Sequence, residues 1–523
     1  MVFATACGSN NNNNNNNEEP GGEALTTDVL VIGGGGAGLA AATSAAENGA
    51  DVILIEKAAF LGGNTVIAGG AFNSVNPDSQ QKAEMNDALM ADLEAILEAK
   101  ESDFGDFQPT LVELKSQITE YLETGDTDVL FDSVELHMIH TYLGGQRTDL
   151  EGNSITGDLE LVRVMCGNAL DALKWLEGHG IEVRENVSTV LGALWPRTNS
   201  VGRGSSYIEV LEPAAKGLGV EIMLETRGIE LIVEDGRVVG AKAEKADGTE
   251  IIINANSGVV VATGGYGENP EMRAEYNTYW KEMPLEMPST NSPNITGDGI
   301  IMGKDIGANL VGMGFLQLMP SSHPVTGSLF SGVWGSAETQ VFVNKDGKRF
   351  VNEYAERDVL ASAALEQEEG LFFIITDQQI VGERDIEQML TNGDVVKADT
   401  LEELAEELGI DVEAFLAEIE KYNSYVDNQK DPDFNKPNFG SYKVEVAPFY
   451  ATPRSPSVHH TMGGLQIDTT TRVINVDGEA IPGLYAAGEV TGGIHAGNRL
   501  GGNAQADIMV FGRIAGESAA LKK

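Results

Sequence analysis

"TDVLVIGGGGAGLAAATSAAENGADVILIEK", residues 27–57, decides the fold. Its first seven residues form an apolar run expected to be a buried strand. "GAGLAAATSAAENG" (36–49) predicts an Ala-rich helix, and "ADVILIEK" (50–57) a second strand. Strand, helix and strand make a βαβ opening. Gly33, Gly35 and Gly38 supply GxGxxG at the first junction. In such a junction the glycines permit a tight turn, approach to a pyrophosphate and close helix–strand packing. The helix N-terminus turns its free N–H groups and positive dipole toward the phosphates. Glu56 ends the second strand, where a carboxylate accepts from a ribose 2′-OH. This end of the chain is read as a dinucleotide-binding unit.

The remaining bulk has room for two or three domains, because the chain has 523 residues. Its 62 glycines gather in short groups, as expected where backbone approaches a large ligand. With 34 basic against 80 acidic residues, the net charge is −46. Such a surface repels nucleic acid and anionic membranes, so an anionic substrate would need a few local arginines. The cysteines are Cys7 and Cys166, with no CxxCH haem site and no zinc or disulfide pattern. Cys166, in "LVRVMCGNAL", reads as a core thiol. His137 and His140 share i,i+3 spacing, but without a third ligand they are expected to be surface residues, and no metal site is expected. The small-residue stretch ending at Cys7, followed by eight Asn, is similar to the end of a bacterial lipoprotein signal and its tether. The expectation is an extracytoplasmic protein with a lipid anchor at Cys7, or otherwise a cytoplasmic one. No run is apolar and long enough to span a bilayer.

Further along, residues 1–25 read as a disordered tether and 76–150 as an acidic, mostly helical insertion or accessory layer. A helix is expected over 161–180 and a β-rich return over 220–261. A mixed region from 319 to 449 carries strands near 340–352 and amphipathic helices at 400–425. The last 75 residues read as glycine-rich and strand-forming.

Seven short motifs follow one another in order: "FLGGNTVIAGG" (60–70), "VVATGG" (260–265), "TGDG" (296–299), "GKRFVNEYAERDVLAS" (347–362), "SVHHTMGGLQID" (457–468), "GLYAAGEVTGG" (483–493) and "GGIHAGNRLGGN" (492–503). Together they resemble the FAD-binding flavoproteins of the succinate dehydrogenase and fumarate reductase superfamily, with soluble flavocytochrome c–type fumarate reductases and urocanate reductases as the nearest in pattern. The resemblance runs over about residues 27–520, less well in 76–150. It implies an α/β fold, a Rossmann-like FAD-binding domain with an inserted α+β capping domain. The FAD-binding domain would take 26–318 and 450–523, and the cap 319–449.

The resemblance also implies non-covalent FAD and a set of contacts to it. These are Gly33, Gly35, Gly36, Ala37, Gly38, Glu56 and Lys57 at the opening, then Gly63, Asn64, Thr65, Gly69 and Gly70. Ala262, Thr263, Gly264, Asp298, His459, Gly488, Glu489, Asn503 and Ala504 complete the set. Asp298 and Glu489 could equally be turn residues at strand ends. For catalysis it implies Arg499 and His460 on a substrate carboxylate, His323 on a second one, and Arg357 as proton donor to the α-carbon after hydride transfer to the β-carbon. The implied function is reduction of an α,β-unsaturated carboxylate, such as fumarate, urocanate, acrylate or cinnamate, in an anaerobic setting. An arginine acid is chemically awkward, because its ordinary pKa exceeds about 12.

The pattern departs from the family at one point. A Thr-Glu pair, with an Arg three residues beyond the Glu, is replaced by Gly332, Val333 and Ser336, which leaves Trp334 as a candidate wall. Glu338 and Thr339 lie nearby in another register. With no CxxCH, electrons are expected from a separate flavin or haem protein, a quinol-linked chain or a diffusible donor. The alternatives are an oxidative, ketosteroid-dehydrogenase-like flavoenzyme, against which the two arginines argue, and a non-catalytic flavin electron-transfer protein.

Overall fold

The computed structural model of the protein describes residues 24–521 apart from 191 and 438. The tether and Cys7 lie outside the described residues.

The opening segment forms the expected unit: strand Ala24–Ile32, helix Gly36–Glu47 and strand Val52–Ile55. Val29 pairs with Val52 and Ile32 with Ile55 in parallel. On the other side Ile32 pairs with Val261, and Val261 with Ala486, again in parallel. The carboxyl ends of these strands therefore meet at one edge, the crevice where α/β sheets bind ligands. The β-rich return is an antiparallel set, Thr226–Glu234, Arg237–Lys245 and the first half of Glu250–Val261.

The last residues depart from expectation. After the glycine-rich loop the chain ends in an 18-residue helix, Asn503–Ala520. Gly512 and Gly516 let this helix lie against the Gly36–Glu47 helix. A Cβ on Gly512 would sit 2.7 Å from Ala37 O, and one on Gly516 2.1 Å from Ala41 O. The first helix is thus buried on nearly every side, which is why it is Ala-rich and lacks a polar face.

Within 76–150 the helices Asp87–Glu98, Gln108–Thr124 and Val134–Gly145 form the expected layer. His137 and His140 are not surface residues: both are buried. His140 Nδ1 meets Arg197 Nη2 at 3.2 Å, and Arg197 is paired with buried Asp132 at 2.7 Å. His137 Nε2 meets Asn503 Oδ1 at 3.0 Å. Burial and the Arg197 charge hold both imidazoles neutral, His137 down to about 3. Two polar positions in a helix look exposed until a second helix supplies partners for them. Cys166 is a core thiol, pushed up to about 12 by burial. Among the described residues no helix is long and apolar enough to cross a membrane.

The cap is built on an antiparallel sheet in the order Leu316–Ser322, Phe449–Thr461, Phe372–Asp377, Phe342–Asn344. Only three residues of 340–352 are strand. The helices Leu401–Leu408 and Val412–Asn428 are separated at Gly409, which sits at φ +67. They cover the sheet through Phe415, Ile419 and Tyr422. Phe449–Thr461 is shared between the two units. Its first half pairs with cap strands, and its second half with Leu316–Ser322 as they return to the base.

Candidate active site

A cleft opens at the carboxyl edge of the parallel sheet. Gly33, Gly35, Gly36, Ala37, Glu56, Lys57, Gly63, Asn64 and Thr65 line it from one side. Ala262, Thr263, Gly264, Asp298 and Glu489 line it from the other. The three motif glycines have different reasons to be glycine. Gly33 lies at φ +106. A Cβ on Gly38 would overlap Gly33 O at 1.8 Å, so this glycine serves helix–strand packing. At Gly35 the nearest protein atom to a Cβ is Gly62 O, at 3.9 Å. Nothing in the protein requires glycine there. The space a side chain would take is the space of a ligand's phosphates, beside a helix start whose N-cap makes no side-chain hydrogen bond. Thr263 Oγ1 is buried in the same cleft without a partner among the described residues. The cleft therefore fits a dinucleotide.

Glu56 accepts from Gly34 N at 2.7 Å and Ala58 N at 2.8 Å, which fixes its carboxylate at the cleft wall. Asp298 accepts from Lys57 Nζ and from Arg227 Nε and Nη2, each at 3.0 Å. These partners hold it below the ordinary carboxylate range against the opposing effect of burial. Glu489 receives Thr461 N at 3.0 Å, and burial raises its pKa.

Other expected contacts stand back from the cleft lining. Gly70, at φ +78, packs on the Arg203 backbone. A Cβ on Gly69 would meet nothing within 4 Å. Gly488 abuts Ala37. Asn503 is held by Asn73, Thr141 and His137 at the start of the C-terminal helix, with Ala504 next to it in the first turn.

Beyond the cleft lie the two arginines. Arg357 opens the helix Arg357–Leu365, and Arg499 sits in the glycine-bracketed loop before the C-terminal helix. Both are buried, at 8% and 4% exposure. Gln317 Oε1 accepts from both, from Arg357 Nη1 at 3.1 Å and Arg499 Nη2 at 2.9 Å. Its amide nitrogen donates to Asn498 Oδ1 at 2.7 Å and Arg499 O at 2.8 Å. Two cations thus share one neutral oxygen, and Arg499 Nε is buried without a partner among the described residues. Burial, with Arg499 beside it, brings Arg357 down to about 9. Burial brings Arg499 to about 10, with Glu489 and Asp507 opposing. Like charges held together out of water call for an anion.

Gln317 lies opposite His460 on the paired strand, and the ladder then jumps to Leu318 opposite Val458, so His459 is bulged out. His460 Nδ1 is 3.6 Å from Glu489 Oε2, and its ring stands edge-on to His495. His459 Nδ1 meets Thr290 Oγ1 at 2.7 Å. Burial and Arg499 keep both rings neutral.

His323 does not join this cluster. It lies past the end of the Leu316–Ser322 strand, six residues from Gln317, or about 20 Å of extended chain. Its Nδ1 accepts from Val325 N and Thr326 N at 3.1 Å, and its Nε2 pairs with Asp394 at 3.3 Å. The His-Pro turn satisfies itself locally. Val333 is buried in a cap cluster with Tyr450 and Val381. Trp334 lies under the Arg454 guanidinium at 4.7 Å, and a Cβ on Gly332 would strike Arg454 Nη2 at 2.4 Å.

Gln317, Asn498 and the His495–Asp507 pair (3.1 Å) are the residues that sequence reasoning passed over. The available signal was the one polar side chain inside the apolar run "GFLQLMP".

A family model described as "FAD binding domain" matches residues 28–504. The NADH:acrylate oxidoreductase of Vibrio harveyi is 48% identical over 481 residues, which are 90% of this chain and 48% of that protein, so the chain spans about half its length. A probable fumarate reductase, Ifc3, of Shewanella frigidimarina is 34% identical over 476 residues, 90% of this chain and 71% of that one. Among solved structures, the open conformation of a flavocytochrome c3 fumarate reductase matches with a TM-score of 0.72 at 32% identity, over 95% of this chain and 79% of that one.

Proposed function

The chain belongs to the FAD-binding domain family, with FAD as its cofactor, and from that premise we propose that it reduces the C=C bond of an α,β-unsaturated monocarboxylate. The observation that carries this reading is the buried Arg357–Arg499 pair, two guanidiniums that share Gln317 Oε1. FAD held by Gly35, Gly36, Glu56 and Thr263 in the cleft would supply the hydride chemistry for the β-carbon. Arg499 takes the substrate carboxylate through its planar fork and stabilises the charge that builds there. Arg357 delivers the proton to the α-carbon. Its pKa of about 9 makes it a far better acid than an ordinary arginine. The cap closes the site to water.

One carboxylate is favoured over two, because His323 pairs with Asp394 and Val333 is buried in a cap cluster. The similarity to an acrylate oxidoreductase supports the same choice. Anaerobic re-oxidation of reduced viologen by the FAD-loaded protein tests this. Acrylate, methacrylate, cinnamate and urocanate, each with one carboxylate, are compared with fumarate and itaconate. Turnover should be confined to the first group. Fast turnover with fumarate would refute the single-carboxylate reading, and none with any acid would refute the reductase.

The histidine pair divides its work. His460 leans toward Glu489, a residue of the cofactor cleft, whereas His459 is bulged out of the ladder and only half-buried; both rings feel Arg499. His459 is therefore the second donor to the carboxylate, in place of His460. Replacing His459 by Ala should lower kcat/KM about 100-fold with the flavin spectrum unchanged, the loss of one hydrogen bond to a charged group. Replacing His460 by Ala should shift the flavin midpoint potential. The reverse pattern would return the role to His460.

A further inference from the structure

We propose that Arg147 is a positioning residue that braces the cap helix bearing Arg357 and the loop bearing Arg499 against one another; this rests on the catalytic roles given to those two arginines.

Arg147 follows the Val134–Gly145 helix of the accessory layer, in the base of the molecule. Its guanidinium reaches across to the first turn of the cap helix Arg357–Leu365. Nε binds Asp358 Oδ2 at 2.6 Å, and Nη2 binds Glu356 Oε2 at 2.5 Å. These carboxylates flank Arg357 in sequence on either side. Tyr279, also in the base, donates to the same Asp358 oxygen at 2.8 Å. The Arg147 and Asp358 side chains are each 14% exposed, so the pair is shielded from most of the screening that weakens surface pairs.

The same segment grips the other loop. Gly497 N donates to Gly145 O at 2.8 Å, and Asn498 Nδ2 to Gly144 O at 2.9 Å. Arg147 Nη1 holds Gly144 O at 3.3 Å and Gln146 O at 2.7 Å from the other side. Packing there is so close that a Cβ on Gly497 would lie 2.6 Å from Arg147 Cβ. Asn498 in turn accepts from Gln317, whose oxygen holds both arginines. One guanidinium therefore binds the cap helix directly and the loop through the Gly144 carbonyl that both it and Asn498 hold. Glu356 and Asp358 serve as the handles of the cap helix.

The test is Arg147→Gln in the full-length, FAD-loaded protein, with Arg147→Lys and Tyr279→Phe as companions. Hydrogen exchange of the amides of 357–362 is read first, since it needs no substrate. We expect it to speed up at least about 10-fold in Arg147→Gln, with exchange in the Gly36–Glu47 helix unchanged. With the preferred enoate, kcat should fall about 10- to 100-fold with KM changed much less, because misplaced chemical groups cost more than binding. Arg147→Lys should recover part of both effects, and Tyr279→Phe should show a smaller loss in the same direction. Unchanged exchange in 357–362 overturns the brace, whatever the turnover. Accelerated exchange with full turnover overturns the positioning role. If the wild type reduces no enoate, the proposed function fails while the exchange arm still decides the brace. If Arg147→Gln does not fold, Tyr279→Phe decides by the same two readouts.

Discussion

Replacing Arg357 by Ala should cut turnover by about 1,000-fold or more while the protein stays yellow, since a positioned general acid contributes about 100- to 10,000-fold. Arg357 lies outside the lining of the dinucleotide cleft, so FAD affinity should be unaffected. The pH profile supplies the sign. Arg357 acts as an acid only when protonated, and burial with Arg499 lowers its pKa to about 9. The kcat/KM of the wild type should therefore hold steady through neutrality and fall as pH rises through about 9. In kcat the fall should come later, because a bound carboxylate favours the charged guanidinium. The residual rate of the Ala variant should lack this limb. A variant that keeps wild-type turnover would remove Arg357 from the mechanism. A wild-type profile flat to pH 11 would show that the depressed pKa is not what makes it an acid.

The second large effect is expected at Gly35. A Cβ there meets no protein atom outside its own helix closer than 3.9 Å, and the backbone, at φ −73 and ψ −173, is one any residue adopts. Gly35→Val should thus leave the melting temperature of the apoprotein unchanged. It should weaken FAD binding about 1,000-fold, the loss expected when two hydrogen bonds to a charged phosphate can no longer form. Gly38→Ala is the contrast, since its Cβ would fall 1.8 Å from Gly33 O. That variant should destabilise the fold itself, with or without cofactor. Equal FAD binding by Gly35→Val and wild type would mean that the phosphates lie elsewhere in the cleft.

Several features were legible because their causes are local. Residues 27–57 contain the strand, the turn, the helix and the second strand of the cofactor site, and Gly34, Gly35 and Gly38 act on neighbours within that run or just beyond it, whereas Gly33 faces Ala262 and Gly36 faces Ile508. Arg357 and Arg499 were marked by short motifs. Two readings failed where the cause is distant. The burial of His137 and His140 depends on Asn503 and Arg197. The C-terminal helix lies where a glycine-rich tail suggested strands, because Gly512 and Gly516 answer to the opening helix. His323 looked like a ligand beside a family motif, yet its turn bonds to itself and to Asp394.

By itself, then, the sequence determined the α/β cofactor end, since a tight turn or a helix start is specified within a few residues. Only the tertiary structure decided what joins Arg357 and Arg499. Gln317 and Arg499 are 182 positions apart, and Arg147 and Asp358 are 211 apart. Strand register brings Gln317 opposite His460, and cap packing brings Asp358 down on Arg147. Register and packing are set by the burial of whole faces, which no short stretch of sequence encodes.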